Sequence, residues 1–150
     1  MSKLALEWVP PGEHTADDME LLLKADEAQP ICDRIPLLQV EHALKQSKMH
    51  LFRIRPGPGV ILIERRGQFG HYRLALIRGA GRAAHQIRPI LKLLEATRQE
   101  WGCECIETVV YSERLKRALE LTDCSIEGYI LTYPPPESED GQQEHNHQQD

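Results

Sequence analysis

The sequence has no apolar run approaching the roughly 18 residues that a membrane-crossing helix requires, so no span and no membrane partner are expected. Its first residues show no basic segment followed by an apolar one, so no secretory signal is expected either. Positive charge is not in excess: 18 Lys and Arg stand against 23 Asp and Glu, a net charge of −5. Grip on a nucleic-acid backbone needs a basic face. A nucleic-acid partner is therefore not expected, whereas a cofactor phosphate needs only one local cationic site. Cysteine is scarce: Cys32, Cys103, Cys105 and Cys124. Cys103-Glu104-Cys105 is the one close pair, and no second pair stands at zinc-binding spacing. Reduced, buried thiols are the default, no metal is expected, and a cytoplasmic setting fits. There is no internal repeat.

The 150 residues are 41% hydrophobic and 27% charged, enough apolar material for one domain with a real core. Residues 4–9 alternate as a short strand, stopped by Pro10-Pro11. Thr15 suits a helix N-cap with Asp17 and Asp18 in the first turn, and Met19, Leu22 and Leu23 form an apolar stripe. Pro30 ends that helix. Pro36 opens a second helix with Leu37, Val40 and Leu44 on one face. A β-meander follows: residues 50–55, the Pro56-Gly57-Pro58-Gly59 turn, the continuous run Val60-Ile61-Leu62-Ile63, a turn between Gly67 and Gly70, and residues 71–77. An unbroken apolar run is the pattern of a central strand buried on both faces.

The apolar spacing of Ala83, Ile87, Ile90, Leu91, Leu94 and Trp101 predicts one helix over about 81–101, kinked at Pro89 and closed at Gly102. The alternative is a helix that begins near Arg88-Pro89, where proline is welcome. Then come a strand at 105–111, a helix capped by Ser112 and a strand at 125–133 closed by three prolines. The order β-α-α-β-β-β-α-β-α-β is an α/β (α+β) arrangement, a mixed and mostly antiparallel sheet with at least one parallel crossover. Residues 1–134 are read as one domain and 135–150 as a polar tail with too little apolar matter to fold. His145 and His147 in it are read as solvated.

The segment Arg78-Gly79-Ala80-Gly81-Arg82-Ala83 lies where an apolar strand ends and the long helix is expected to begin. Glycines let the backbone turn tightly and approach a ligand. The first N–H groups of a helix lack internal partners and, with the dipole, attract anions. Arg78 and Arg82 add guanidinium donors. A pyrophosphate-binding loop is the functional reading; an ordinary turn with two surface arginines is the plain one.

This loop is similar to the R/Q-x-x-G-x-G/A phosphate loop of the GNAT N-acetyltransferases, with Arg78, Gly81 and Ala83 in the defining places. The element order over residues 4–133, and the ending with Trp101-Gly102-Cys103, a Val-rich strand and Glu127-Gly128-Tyr129-Ile130-Leu131, resembles the same family. The resemblance implies a GNAT fold, acetyl-CoA as cofactor and a small-molecule or peptide amine as acceptor. Amides of residues 79–83 would hold the pyrophosphate. The pantetheine arm would lie between the strand ending at Ile77 and the strand carrying Val109 and Val110. The acceptor would sit among the first two helices and the end of the sheet.

Some positions depart from the family pattern. Leu119 stands where a tyrosine acid is frequent, Asp123-Cys124 where Gly-Phe is, and Ser112 where asparagine is common. Glu64, His71 and Tyr111 remain as candidate acid–base residues, each with a plain reading as a surface charge, a turn residue or packing. Direct attack by a neutral amine needs little beyond positioning. The 78–128 segment also looks similar to short GNAT-like proteins of short-tailed bacteriophages. That leaves open a non-catalytic binding or assembly role in host cytoplasm or virion, with a homodimer or a virion partner.

Overall fold

In the computed structural model, residues 3–108 and Arg117 are described. Val109, Val110, Tyr111, Ser112, Cys124, the expected helix after Ser112, the strand 125–133 and the tail 135–150 lie outside the described residues. The order is β1 (Ala5–Val9), α1 (Ala16–Glu27), a 3-10 turn (Ile31–Asp33), α2 (Leu37–Lys45), β2 (His50–Arg55), β3 (Val60–Gln68), β4 (His71–Ala80), a second 3-10 turn (Arg82–His85), α3 (Ile87–Glu100) and β5 (Ile106–Thr108). The strands form one sheet in the order β1-β2-β3-β4-β5. The first three pairings are antiparallel, and β4 with β5 is parallel, joined by α3. The sheet is thus mixed and mostly antiparallel, and no described helix is long and apolar enough to cross a membrane.

Two cores flank the sheet. Met19 and Leu22 of α1 and Val40 and Leu44 of α2 pack on Val9, Leu51, Val60, Leu62 and Ala80. Ile90 and Leu94 of α3 pack on the other face, against Phe52, Ile54, Ile61, Ile63 and Leu74. The run Val60-Ile61-Leu62-Ile63 is buried at every residue because successive side chains feed opposite cores. Each such burial contributes about 1.5–3 kcal/mol.

Local chemistry sets the ends of the elements. Thr15 Oγ1 accepts from the Asp18 N–H, and the Asp18 carboxylate accepts from the Thr15 N–H, a full capping box. Asp18 is also held by Arg53 of β2 at 2.8 Å, which ties the start of α1 to the sheet. At the end of α3, Gly102 has φ 67°, Cys103 N–H donates to Arg98 O and Gly102 N–H to Gln99 O, a Schellman closure. The β3–β4 hairpin turns on Phe69 and Gly70, both with positive φ, as a two-residue type I′ turn requires.

One expectation is overturned. The helix does not run from 81 with a kink at Pro89. β4 extends to Ala80, a 3-10 turn covers Arg82–His85, and α3 starts at Ile87, with Pro89 inside its first turn. There the missing N–H of proline costs nothing, since the first four donors of a helix have no internal acceptor. The apolar spacing continued through residue 83 because Ala83 does face the α3-side core, but from the 3-10 turn. Of the thiols, Cys103 is buried, while Cys105 is exposed, so the buried reading holds for only one of this pair.

Candidate functional site

The candidate site is built on the last third of β4. Opposite it, β3 pairs Leu62 with Arg78 and Ile63 with Leu76, so Ile77 is an extra residue, a β-bulge. The bulge turns Ile77 and Arg78 toward the same face, that of α1 and α2: Ile77 packs on that core, and Arg78 lines a shallow cleft with Leu22, Leu62 and Val40. β5 joins the far edge of β4 at Leu74, Ala75 and Leu76, just before the bulge. At the last of these positions the Thr108 hydroxyl donates to the Leu76 carbonyl at 3.0 Å.

Arg78, expected from the sequence as a phosphate donor, is engaged by the protein itself. Its guanidinium is 9% exposed and donates to Asp26 Oδ1 at 3.1 Å, Asp33 Oδ2 at 3.2 Å and the Asp33 carbonyl at 2.9 Å. Asp26 Oδ1 also accepts from the Ile35 N–H. A buried cation needs such partners. The result is a clasp that fixes the end of α1 and the first 3-10 turn to the bulged strand.

Gly81 is likewise occupied from within. It has φ 89°, and a Cβ there would lie 2.8 Å from Gly59 Cα and 2.9 Å from the Pro58 carbonyl oxygen. The Ala83 N–H donates to Pro58 O and the Ala84 N–H to Gly81 O. Ala83 is therefore not a free anion donor, and the glycine is required by the neighbouring turn. Ala80 is buried in the α1–α2 core and Gly79 is exposed.

The free donors stand slightly later in the chain. Among the described residues, the backbone N–H groups of Arg82, Ile87 and Arg88 have no protein acceptor. The N-cap of α3, Gln86, makes no side-chain cap bond, and the first turn holds no acidic residue. Arg82, His85 and Arg88 are exposed, and none forms an ion pair with another described residue. An uncapped helix start flanked by three basic side chains fits the phosphates of a nucleotide cofactor. These unpaired donors lie at 82–88, overlapping and extending beyond the 78–83 stretch to which the sequence pointed.

Of the acid–base candidates, His71 opens β4, six residues before the bulge, or roughly 20 Å along the strand. It is largely exposed and pairs with Glu104 at 2.8 Å, so the structure separates it from the site. Glu64 lies opposite Ala75, and on the other side of Ala75 lies Glu107 of β5. Arg66 binds Glu64 at 2.8 Å and reaches Glu107 at 4.0 Å, and Arg73 binds Glu107 at 3.1 Å. Glu107 went unread in the sequence because it becomes a neighbour of Glu64 only once β4 is placed between them. Strand alternation alone could have marked it as a polar position.

Comparison with solved structures agrees with this architecture. AAC(6')-Iy, solved with a bisubstrate analogue of CoA and acetylneamine, superposes with a TM-score of 0.63 at 14% identity, over 89% of this chain and 99% of that one. The chain has the GNAT acetyltransferase fold. A second GNAT-type match is an aminoglycoside acetyltransferase from an uncultured soil metagenomic sample (TM-score 0.60, 18% identity, 92% and 100% covered). A third is a ribosomal-protein-alanine N-acetyltransferase from Brucella melitensis (0.58, 13%, 87% and 99%). By sequence, no family model and no curated protein matches the chain. Within this fold, the bulge at Ile77 and the free donors at 82–88 lie at the end of β4 and the start of α3. The Arg78 clasp bears on how α1 meets the sheet.

Proposed function

We propose that this protein transfers an acetyl group from acetyl-CoA to an amine. The observation that carries the reading is the uncapped, cation-flanked start of α3, standing directly after a bulged β4 in a GNAT fold. In this reading the N–H groups of Arg82, Ile87 and Arg88, with the side chains of Arg82, His85 and Arg88, hold the phosphates. The exposed Gly79 backbone allows close approach. The bulged stretch around Ile77 takes the acyl end, with Val109 and Val110 on the facing strand as the family resemblance has it. Acetyl-CoA supplies the activated thioester.

Glu64 is the described candidate for receiving the proton of the amine, directly or through water, since it sits on the α1–α2 face two pairs from the bulge. Arg66 binds its carboxylate at 2.8 Å. Tyr111 stays a second acid–base candidate, and Ser112, where the family commonly has asparagine, a further cofactor contact. The acceptor class is an amine that reaches the cleft between α1, α2 and β4; two of the proteins of similar fold carry aminoglycoside chemistry in their names.

The test is calorimetric titration with acetyl-CoA, with CoA and ATP as comparators, followed by an acetylation screen over aminoglycosides, polyamines and peptide N-termini. Saturable micromolar binding and a turned-over amine are the expected result. A native protein that shows no heat and no thermal stabilisation at millimolar acetyl-CoA overturns the reading.

A further inference from the structure

The β2–β3 turn has no part in the functional reading, yet it packs directly against the segment at 81–84. Gly59 is buried, and a Cβ placed on it would meet Ala83 Cβ at 2.9 Å, Ile54 Cδ1 at 3.0 Å and Ala84 N at 3.3 Å. From the other side, a Cβ on Gly81 would meet Gly59 Cα and Pro58 O. Two bare glycine backbones thus face one another with no room for a methyl group on either. The contact is pinned by the 2.9 Å hydrogen bond from Ala83 N–H to Pro58 O, and the turn is itself closed by Ile54 N–H donating to Gly59 O at 2.9 Å. Neither α1 nor α2 takes part.

We propose that the Pro58-Gly59 turn is the seat of the phosphate-binding segment, and that Gly59 and the Pro58 carbonyl are positioning groups for the cofactor's phosphates. The inference rests on acetyl-CoA being held at 82–88. Residues 81–85 have no helix ladder of their own to hold them; they are a glycine and a single 3-10 turn. Their height above the sheet is set by what lies beneath, and what lies beneath is this turn. Because α3 follows directly, the same contact aims the N–H groups of Ile87 and Arg88. A site must be held to within about 0.5 Å to keep its hydrogen bonds. A methyl on Gly59 would need Ala83 to give by about that much, since ordinary contact begins near 3.4 Å. The contacts a methyl on Gly59 would meet are at Ile54, Ala83 and Ala84, whereas the bulge and the clasp pair further along β3 at Leu62 and Ile63, so the displacement falls on the phosphate end.

The experiment compares three ligands on wild type, Gly59→Ala, Ala83→Gly and the exchange variant Gly59→Ala/Ala83→Gly, each shown to be folded by circular dichroism. The ligands are acetyl-CoA, ADP (pyrophosphate without the arm) and S-acetylpantetheine (the arm without phosphates). Gly59→Ala is expected to weaken acetyl-CoA and ADP together by about tenfold or more and to leave S-acetylpantetheine unchanged. The exchange variant moves the methyl across the contact and is expected to recover most of the loss. Ala83→Gly, which deletes a methyl and imposes no clash, keeps the test open if Gly59→Ala fails to fold: it should weaken the two phosphate ligands a few-fold and spare the arm. Unchanged ADP and acetyl-CoA affinity in folded Gly59→Ala or Ala83→Gly, or an equal loss for S-acetylpantetheine, overturns the proposal while leaving the cofactor reading intact. A wild type that binds none of the three overturns both.

Discussion

Replacing Arg78 by methionine removes the cation of the clasp and keeps most of its volume. Three hydrogen bonds are lost, and the carboxylates of Asp26 and Asp33, 17% and 29% exposed, are left facing each other without a counter-charge. Breaking a fully buried pair costs about 3–5 kcal/mol. Here both acids keep some water, and Asp26 keeps the Ile35 N–H. The expected loss is therefore about 2–3 kcal/mol. With a urea slope of about 1–3 kcal/mol per molar, the unfolding midpoint should fall by roughly 1 M. The cause can be isolated by adding Asp26→Asn and Asp33→Asn to Arg78→Met. Removing the orphaned charges should return at least half of the loss, which independent sites would not do. The same triple variant should bind acetyl-CoA about as well as wild type, within roughly threefold. An Arg78→Met protein as stable as wild type would refute the clasp. A folded triple variant that has lost acetyl-CoA would show that the guanidinium serves the phosphates after all.

Three further outcomes follow from the geometry. Gly81→Ala should lower the thermal midpoint by several degrees, because the residue combines φ 89° with backbone contact to Gly59; an unchanged melting curve would contradict that packing. His50 is edge-on to Trp101 at 4.8 Å, and burial holds its imidazole below the ordinary histidine value of about 6.5. The unfolded chain therefore takes up this proton more readily. Stability from His50 is full above about pH 6.5 and falls as the pH drops below it, and His50→Gln should flatten that part of the urea midpoint–pH curve. A profile unaltered by the substitution would remove His50 as its source. Asp18 acts in a lower window. Burial pushes its carboxyl up, but the Arg53 guanidinium and the Thr15 N–H outweigh this and hold it below the usual range, so its contribution is lost as pH falls below about 4.

Signals written within a few residues survived folding unchanged. The Thr15–Asp18 capping box, the two-sided burial of Val60–Ile63, the Gly102 closure and the proline boundary before α2 each depend on neighbours in the chain. The candidate site was legible only in outline. The glycine loop at the end of β4 stood where the sequence placed it, but the start of α3 was misjudged. Apolar spacing of 3.6 residues per turn also fits an alanine packed from a 3-10 turn, and Pro89 was the more reliable boundary mark. Arg78 read as a surface donor because its partners, Asp26 and Asp33, lie 52 and 45 residues away in the chain.

By itself, then, the sequence determined the order of elements, the caps that bound them and the strand buried on both sides, all products of short-range sterics and hydrophobic period. The tertiary structure decided which partners the residues of the glycine loop meet. Which face Arg78 takes depends on a bulge at Ile77, which exists only as a mismatch between two strands. Whether Gly81 serves a ligand or the protein depends on the turn at Pro58-Gly59, brought beneath it by the β3–β4 ladder. Contacts of this kind are set by long-range packing, for which no window of the sequence carries a signal.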